Sequence, residues 1–350
     1  MSSGDEHGKG PALQRPALQR PALTMSARLV GVVVGLAAAV SVMLLAFALP
    51  SSHSGAHDLP LAVSGPSASV QQLTAALDKA HPGAFEVTTY SDGAAVSDAI
   101  ESRDAIGGIS VTSQGVTIRT ASAAGAPYGP LLHTVGAALQ EQNRTPVTYA
   151  DVVPYTQDDP TGASFSALGL PLAFGGMISA VVLSTLFRDR IVLRVVGSIS
   201  FAILAGLSVT AILQFWIGSV DGSYWLTAAS LSLGVAAISL TVLGLESLLG
   251  YAGLGVGAVL MMFVSNPLSG ISTGSAWLPD PWGTVGQLLP IGAAGDLVRS
   301  TAFFDGAAGA GSTAVLGSWV ILGLGLMALS RWRRRAEQPS SVHRELQPVA

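Results

Sequence analysis

Six apolar stretches, each near the length of a membrane crossing, dominate this chain and leave little room for another architecture. A helix rises about 1.5 Å per residue, so about 20 mostly apolar residues cross the roughly 30 Å of hydrocarbon. The first stretch, Leu29 to Leu49, exceeds the apolar region of about 7 to 15 residues in a cleaved signal peptide and reads as an anchor. The second runs from Phe165 to Phe187 and the third from Val195 to Ile217, joined by a tight turn carrying Arg188, Asp189, Arg190 and Arg194. Between Tyr224 and Val264 the chain is apolar for twice a membrane thickness with Glu246 as its single charge, so two spans turn near that residue. The last, Ser312 to Ser330, stops at Arg331-Trp332-Arg333-Arg334-Arg335, a composition suited to the headgroup boundary.

Charge agrees. Only 11% of residues are charged, against roughly 25% in soluble domains, which excludes a single soluble enzyme core. With no cysteine, disulfides and sulfur-ligated metal centres are ruled out. The balance of 17 basic and 21 acidic residues, without a long basic run, argues against nucleic acid as a partner. Lys9 and Lys79 are the only lysines in a chain rich in Ala and Gly, a composition typical of GC-rich bacterial coding sequences. Six crossings put both termini on one side, and the positive-inside rule chooses the cytoplasm. Lys9, Arg15, Arg20 and Arg28 precede the first span, Arg188, Arg190 and Arg194 follow the second, and five arginines follow the last, whereas residues 50–164 hold four basic against eleven acidic residues. The expected protein is an α-helical polytopic membrane protein of six transmembrane helices in a bacterial plasma membrane, with a small α/β extracytoplasmic domain between the first and second.

The expected layout is a disordered cytoplasmic tail at 1–28, a first span at 29–49, the extracytoplasmic domain at 50–164, five spans within 165–330, and a basic cytoplasmic tail at 331–350. The tail holds PALQR at Pro11 to Arg15 and again at Pro16 to Arg20, a proline-punctuated repeat that cannot build a helix or a core. Translation beginning at either Met1 or Met25 is compatible with this. In 50–164, strands are expected at Leu61–Val63, Phe85–Tyr90 and Val147–Val153, a hairpin at Ala105–Thr112 and Val116–Ala121, and helices at Ser67–Lys79, Ala94–Ser102 and Pro127–Gln142. Ser91 or Asp92 is placed to cap the second helix.

Few residues suggest chemistry. The only Gly-Lys pair, Gly8-Lys9, lacks the strand and Ser/Thr of a phosphate loop, so any ATP would be hydrolysed by another chain. His53, His57 and Asp58 have a spacing a metal could use, but in an exposed linker solvation is the simpler reading, and no metal or cofactor is expected. Asn143-Arg144-Thr145 fits a glycosylation sequon, a coincidence in a bacterial chain. The pairs Gly31/Gly35 and Gly253/Gly257 have the spacing that lets helices approach closely. Glu246 is a functional candidate as a carboxylate in an apolar run, although at a cytoplasmic turn it can be solvated. From 265 to 311, Asn266-Pro267, Leu278-Pro279-Asp280-Pro281-Trp282 and Leu288-Leu289-Pro290 break the chain repeatedly, and Asp296 and Arg299 are spaced as an i,i+3 pair. Proline-broken short helices dipping into the outer leaflet explain that mixture; a simple loop is the alternative.

Taken together, the first span, the α/β domain, the five further spans, the turn Asn266-Pro267-Leu268-Ser269-Gly270, the segment Leu288-Leu289-Pro290 and the run Ala105-Ile106-Gly107-Gly108-Ile109-Ser110-Val111 resemble the membrane subunits of type-2 ABC exporters and the related phage-infection-protein-like membrane proteins. The resemblance implies a permease subunit, paired with an identical or different permease subunit in the bilayer and driven by a cytoplasmic ATPase that docks on a coupling helix between the second and third spans. Here that connection, Phe187 to Arg194, is short. The cytoplasmic protrusions left for docking are Arg188, Asp189 and Arg190, with Glu246 in the next turn. The other expectation is a non-transporting membrane protein whose outer domain binds a partner or assists secretion or envelope assembly.

Overall fold

In a computed structural model, described for residues 25–143 and 146–336, the chain is mostly helical with one small mixed sheet. The PALQR repeat, the last two sequon residues and the tail beyond Ala336 lie outside the described residues. Five helices are long and apolar enough to cross a membrane: Ala27–His53, Ala163–Leu186, Ile191–Ile217, Tyr224–Leu249 and Gly309–Ala336. That is the pattern of a membrane-embedded chain.

Helix α1 (Met25–His53) is apolar nearly throughout and carries Pro50 in its last turn. Residues from Ala46 onward form one unit, and its sheet comes first in the chain: β1 (Leu59–Ser64), β2 (Phe85–Tyr90), β3 (Gly107–Thr112), β4 (Gly115–Thr120) and β5 (Val147–Asp151), in the order β2-β1-β3-β4-β5. β1 lies parallel to β2 and β3, β3 and β4 form an antiparallel hairpin, and β5 is parallel to β4. Period two sorts β1 between two cores. Leu59, Leu61 and Val63 face Leu73 and Leu77 of α2 (Ser67–Ala80) and Leu132 and Val135 of α4 (Tyr128–Asn143), whereas Ala62 faces Val96 and Ile100 of α3 (Gly93–Glu101). Asp92 accepts from the amides of Ala94 and Ala95, so the cap of α3 is the second of the two expected candidates. Helices press on both faces at Gly107 and Gly108, where a β-carbon would strike Leu132 on one side and Val96 on the other.

The helical part is built around α8 (Tyr224–Leu249), against which α6 (Gly169–Leu186, preceded by the short α5, Ala163–Ser166), α7 (Ile191–Ala211), α9 (Tyr251–Ala258) and α12 (Gly309–Ala336) all pack. Some of the polar side chains inside this apolar bundle pair with one another, as burial favours, whereas the hydroxyls of Thr210, Thr227 and Ser247 have no hydrogen-bond partner among the described residues. Ser179 of α6, Ser239 of α8 and Ser198 of α7 form a buried hydroxyl chain with steps of 2.7 and 2.8 Å. The outward sides carry Ile178, Leu204 and Ile321, more than half exposed, a distribution that suits lipid contact.

The chain reverses between α8 and α9 at Gly250, whose left-handed backbone (φ 64°) a side chain would strain. The expected close contact at Gly253/Gly257 is present: a β-carbon at Gly253 would meet the Leu245 carbonyl and one at Gly257 would meet Val242. The element holding them is shorter than a full crossing, with eight α-helical residues followed by seven in wider π geometry to Ser265. Beyond it the proline-broken segment is α10 (Trp282–Gln287) and α11 (Pro290–Phe303), so short helices, not a simple loop, fill it.

Candidate functional site

Polar chemistry collects in two places, at opposite ends of the helices. At the sheet end, the turn that follows α3 places Arg103 just past the Ser102 cap, with a left-handed φ of 67° that is unusual for a residue with a side chain. Its guanidinium reaches across to α11 and pairs with Asp296 through both terminal nitrogens, lying 5.4 Å from the centre of the Phe304 ring. The other demand on Asp296 comes from α12: the Ser312 hydroxyl donates to it at 2.7 Å. One carboxylate therefore ties the α/β domain to two helices.

The expected Asp296–Arg299 pair is not formed. Arg299 turns the other way, is buried, donates to the Ile271 carbonyl and lies 5.1 Å from the centre of the Phe165 ring. The spacing was right for a pair, but each group has a partner from a distant element: Asp296 takes Arg103, and Arg299 takes an otherwise orphaned carbonyl in the irregular connection 266–278. Two tyrosines lie near these cations, and burial controls both. It pushes the Tyr128 phenol up to about 12, partly opposed by Arg299 and Arg103, and raises that of Tyr155. Both stay neutral near pH 7, which suits packing more than proton transfer.

Asn266, Pro267 and Pro290, far apart in sequence, are brought together. Ser265 accepts from the Ile291 amide at 3.0 Å, capping α11 just beyond Pro290, and the Gln287 amide donates to the Ser269 carbonyl at 3.1 Å. The Leu288 carbonyl, left at the proline break, accepts from the Trp319 indole at 2.8 Å. Where the Asn266-Pro267 turn meets the start of α6 and the last turn of α1, a cavity of about 410 Å³ opens, with Ser51, Ser166, Asn266, Ser272 and Trp277 in its wall.

The opposite end holds the charged turn, residues 187–190 between α6 and α7. Arg188 donates to the Tyr251 hydroxyl at 2.6 Å, while Asp189 and Arg190 are exposed and form no ion pair among the described residues. Glu246 is not the solvated charge expected. Its side chain is 16% exposed and accepts from Arg194 at 2.6 Å, and Arg194, 3% exposed, also donates to the carbonyls of Phe187, Ser184 and Arg188. Burial near α8 makes isolation costly for both charges, so they pair. The signal was in the sequence: an arginine just inside one apolar run and the one carboxylate near the end of another satisfy each other. Nothing local marked Arg103, since its partner lies 193 residues away.

No protein-family model, curated protein or solved structure matches the chain.

Proposed function

We propose that the chain is a six-span protein of the bacterial plasma membrane with both termini cytoplasmic and its α/β domain outside, acting as a permease-like subunit that moves a hydrophobic or amphipathic substrate with energy from a separate ATPase. The observation that carries this reading is the polarity of the helix ends. The end away from the sheet gathers Arg188, Arg190 and Arg194 with Trp332 and Arg331, Arg333, Arg334 and Arg335, the positive side of a membrane protein. Near the sheet end, Phe215, Trp216 and Trp225 are more than 70% exposed, as aromatic residues are at headgroup level. The short element ending at Ser265 serves as the fifth crossing, completed by the connection that follows it, and the subunit works beside a second permease subunit, identical or not.

The native chain has no cysteine, so single cysteines report topology. Ser91→Cys and Asp280→Cys are expected to react with an impermeant thiol reagent on intact cells, and Asp189→Cys only after lysis. The reverse pattern would sink the topology. Docking of an ATPase is tested at Asp189, which carries no structural bond to confuse the result. Asp189→Ala leaves every arginine in place, and on this reading it lowers transport and ATPase stimulation by the equivalent of about 1–3 kcal/mol, the scale of a lost charged contact. Unchanged rates at normal membrane levels would favour the second reading, in which the α/β domain binds a partner and nothing is transported. The specific support for that alternative is the connection 187–190, four residues with no helix for an ATPase to grip.

A further inference from the structure

The 410 Å³ cavity at the Asn266-Pro267 turn has an uncharged wall: no lining residue is charged, and nearly half are serine, threonine or asparagine. The protons of four of those hydroxyls are already spent. Ser51 donates to the Phe47 carbonyl at 2.8 Å, Ser54 to that of Pro50 at 2.6 Å, Ser269 to that of Asn266 at 2.8 Å and Thr273 to that of Gly274 at 3.2 Å. What these four oxygens still offer is lone pairs. The Asn266 amide adds two N–H donors and an acceptor. An acceptor-rich, uncharged wall favours a ligand rich in hydroxyl donors. It gives an anionic group no countercharge, only the neutral donors of Asn266, Ser166 and Ser272, and leaves an ammonium group without a carboxylate. At about 30 Å³ per water-sized atom the space holds roughly a dozen non-hydrogen atoms, the size of one hexose ring. Trp277 contributes an aromatic wall, whose electron-rich face attracts polarised C–H groups. Phe47 and Leu170, 37% and 50% exposed, line the same cavity and give it an apolar edge.

We infer that this cavity binds an uncharged glycosyl headgroup, with the alkyl tail of the same molecule running along Phe47 and Leu170. The site goes beyond the transport reading, because a glycosyl amphiphile held here without being moved satisfies it equally.

The test uses Ser272→Cys in the full chain, purified and exchanged into an amphipathic polymer so that no detergent competes. The rate of maleimide modification is followed against octyl glucoside, octyl phosphocholine, octyl sulfate and free glucose, each below any micelle-forming concentration. Octyl glucoside is expected to slow modification at least fivefold and saturably, while the zwitterionic and anionic surfactants of equal chain length do not. Protection by glucose alone to the same extent supports the site and assigns it to a free sugar instead of a lipid. Adding Asn266→Leu is expected to abolish protection, while labelling of a separate Ser91→Cys reporter stays unchanged. Ser166→Cys repeats the measurement if Ser272→Cys does not fold. Equal protection by all three surfactants, no protection by octyl glucoside, or protection that survives Asn266→Leu would overturn the inference.

Discussion

Glu246→Ala is expected to destabilise the helical region by about 3 kcal/mol, because it leaves the Arg194 guanidinium buried without its counterion. The three carbonyls that Arg194 also holds cannot neutralise its charge, although they keep the loss from growing larger. Glu246→Gln retains an acceptor for Arg194 Nη1 and should cost about half as much. The decisive variant is the double replacement Arg194→Met with Glu246→Leu. Removing both charges at once abolishes the desolvation problem, so the double variant should recover most of the stability lost by Glu246→Ala. Thermal unfolding of the purified protein, followed by tryptophan fluorescence, measures all three. Glu246→Ala melting with the native protein would show that Arg194 is neutralised some other way. The result also separates roles: lost transport in Glu246→Ala accompanied by lost stability says nothing about ATPase docking, and Asp189 remains the clean probe.

The second large effect is expected where α8 and α12 cross. A β-carbon on Gly244 would lie 2.6 Å from the Gly323 carbonyl oxygen, and one on Gly323 would lie 2.7 Å from the Thr241 amide nitrogen. Each helix offers the other a bare backbone. Gly323→Val must push the helices apart, because the opposing atoms are main chain and cannot rotate away, and it breaks the bond from the Thr241 hydroxyl to the Trp319 carbonyl at 3.2 Å. A cost of about 3 kcal/mol, the upper end of ordinary overpacking, is expected. Gly325→Val, on the same helix but with open space around its β-carbon, should be near neutral. Similar unfolding temperatures for the two variants would disprove the tight crossing.

Local pattern carried much of the fold. Each expected strand and helix of the α/β domain is present within a few residues, because the short apolar run at Leu59–Ser64, the alternation that opens Phe85–Tyr90 and the Asp92 cap are signals that neighbouring residues complete by themselves. Strand order was not legible: β1 sits between β2 and β3 through pairings such as Leu61 with Val87 and Gly107, which no local window contains. Among the helices, apolar runs and Gly253/Gly257 located the packing, whereas the widening of the chain before Asn266 left no mark in composition. The site followed the same division. Asn266, Pro267 and Pro290 announced a broken segment because proline acts locally, but charge partners were misjudged wherever a nearer group was available on paper, as with Arg299 beside Asp296.

The Arg103–Asp296 tie has a consequence in time. Asp296 is made 193 residues after Arg103, so at roughly 5–20 residues per second the ribosome needs about 10–40 seconds to deliver the carboxylate after the arginine has emerged. Phe303 and Phe304, which complete the core on the α3 side of the sheet, arrive equally late. Once β5 has been made, for the rest of that interval the sheet has all its strands and α3 already lies on Ala62 through Val96 and Ile100, but the side of that core closed by Phe303 and Phe304 is still open. A nascent chain paused there presents an apolar surface that the finished protein hides, and a chaperone able to hold a half-closed core would find its substrate in that window.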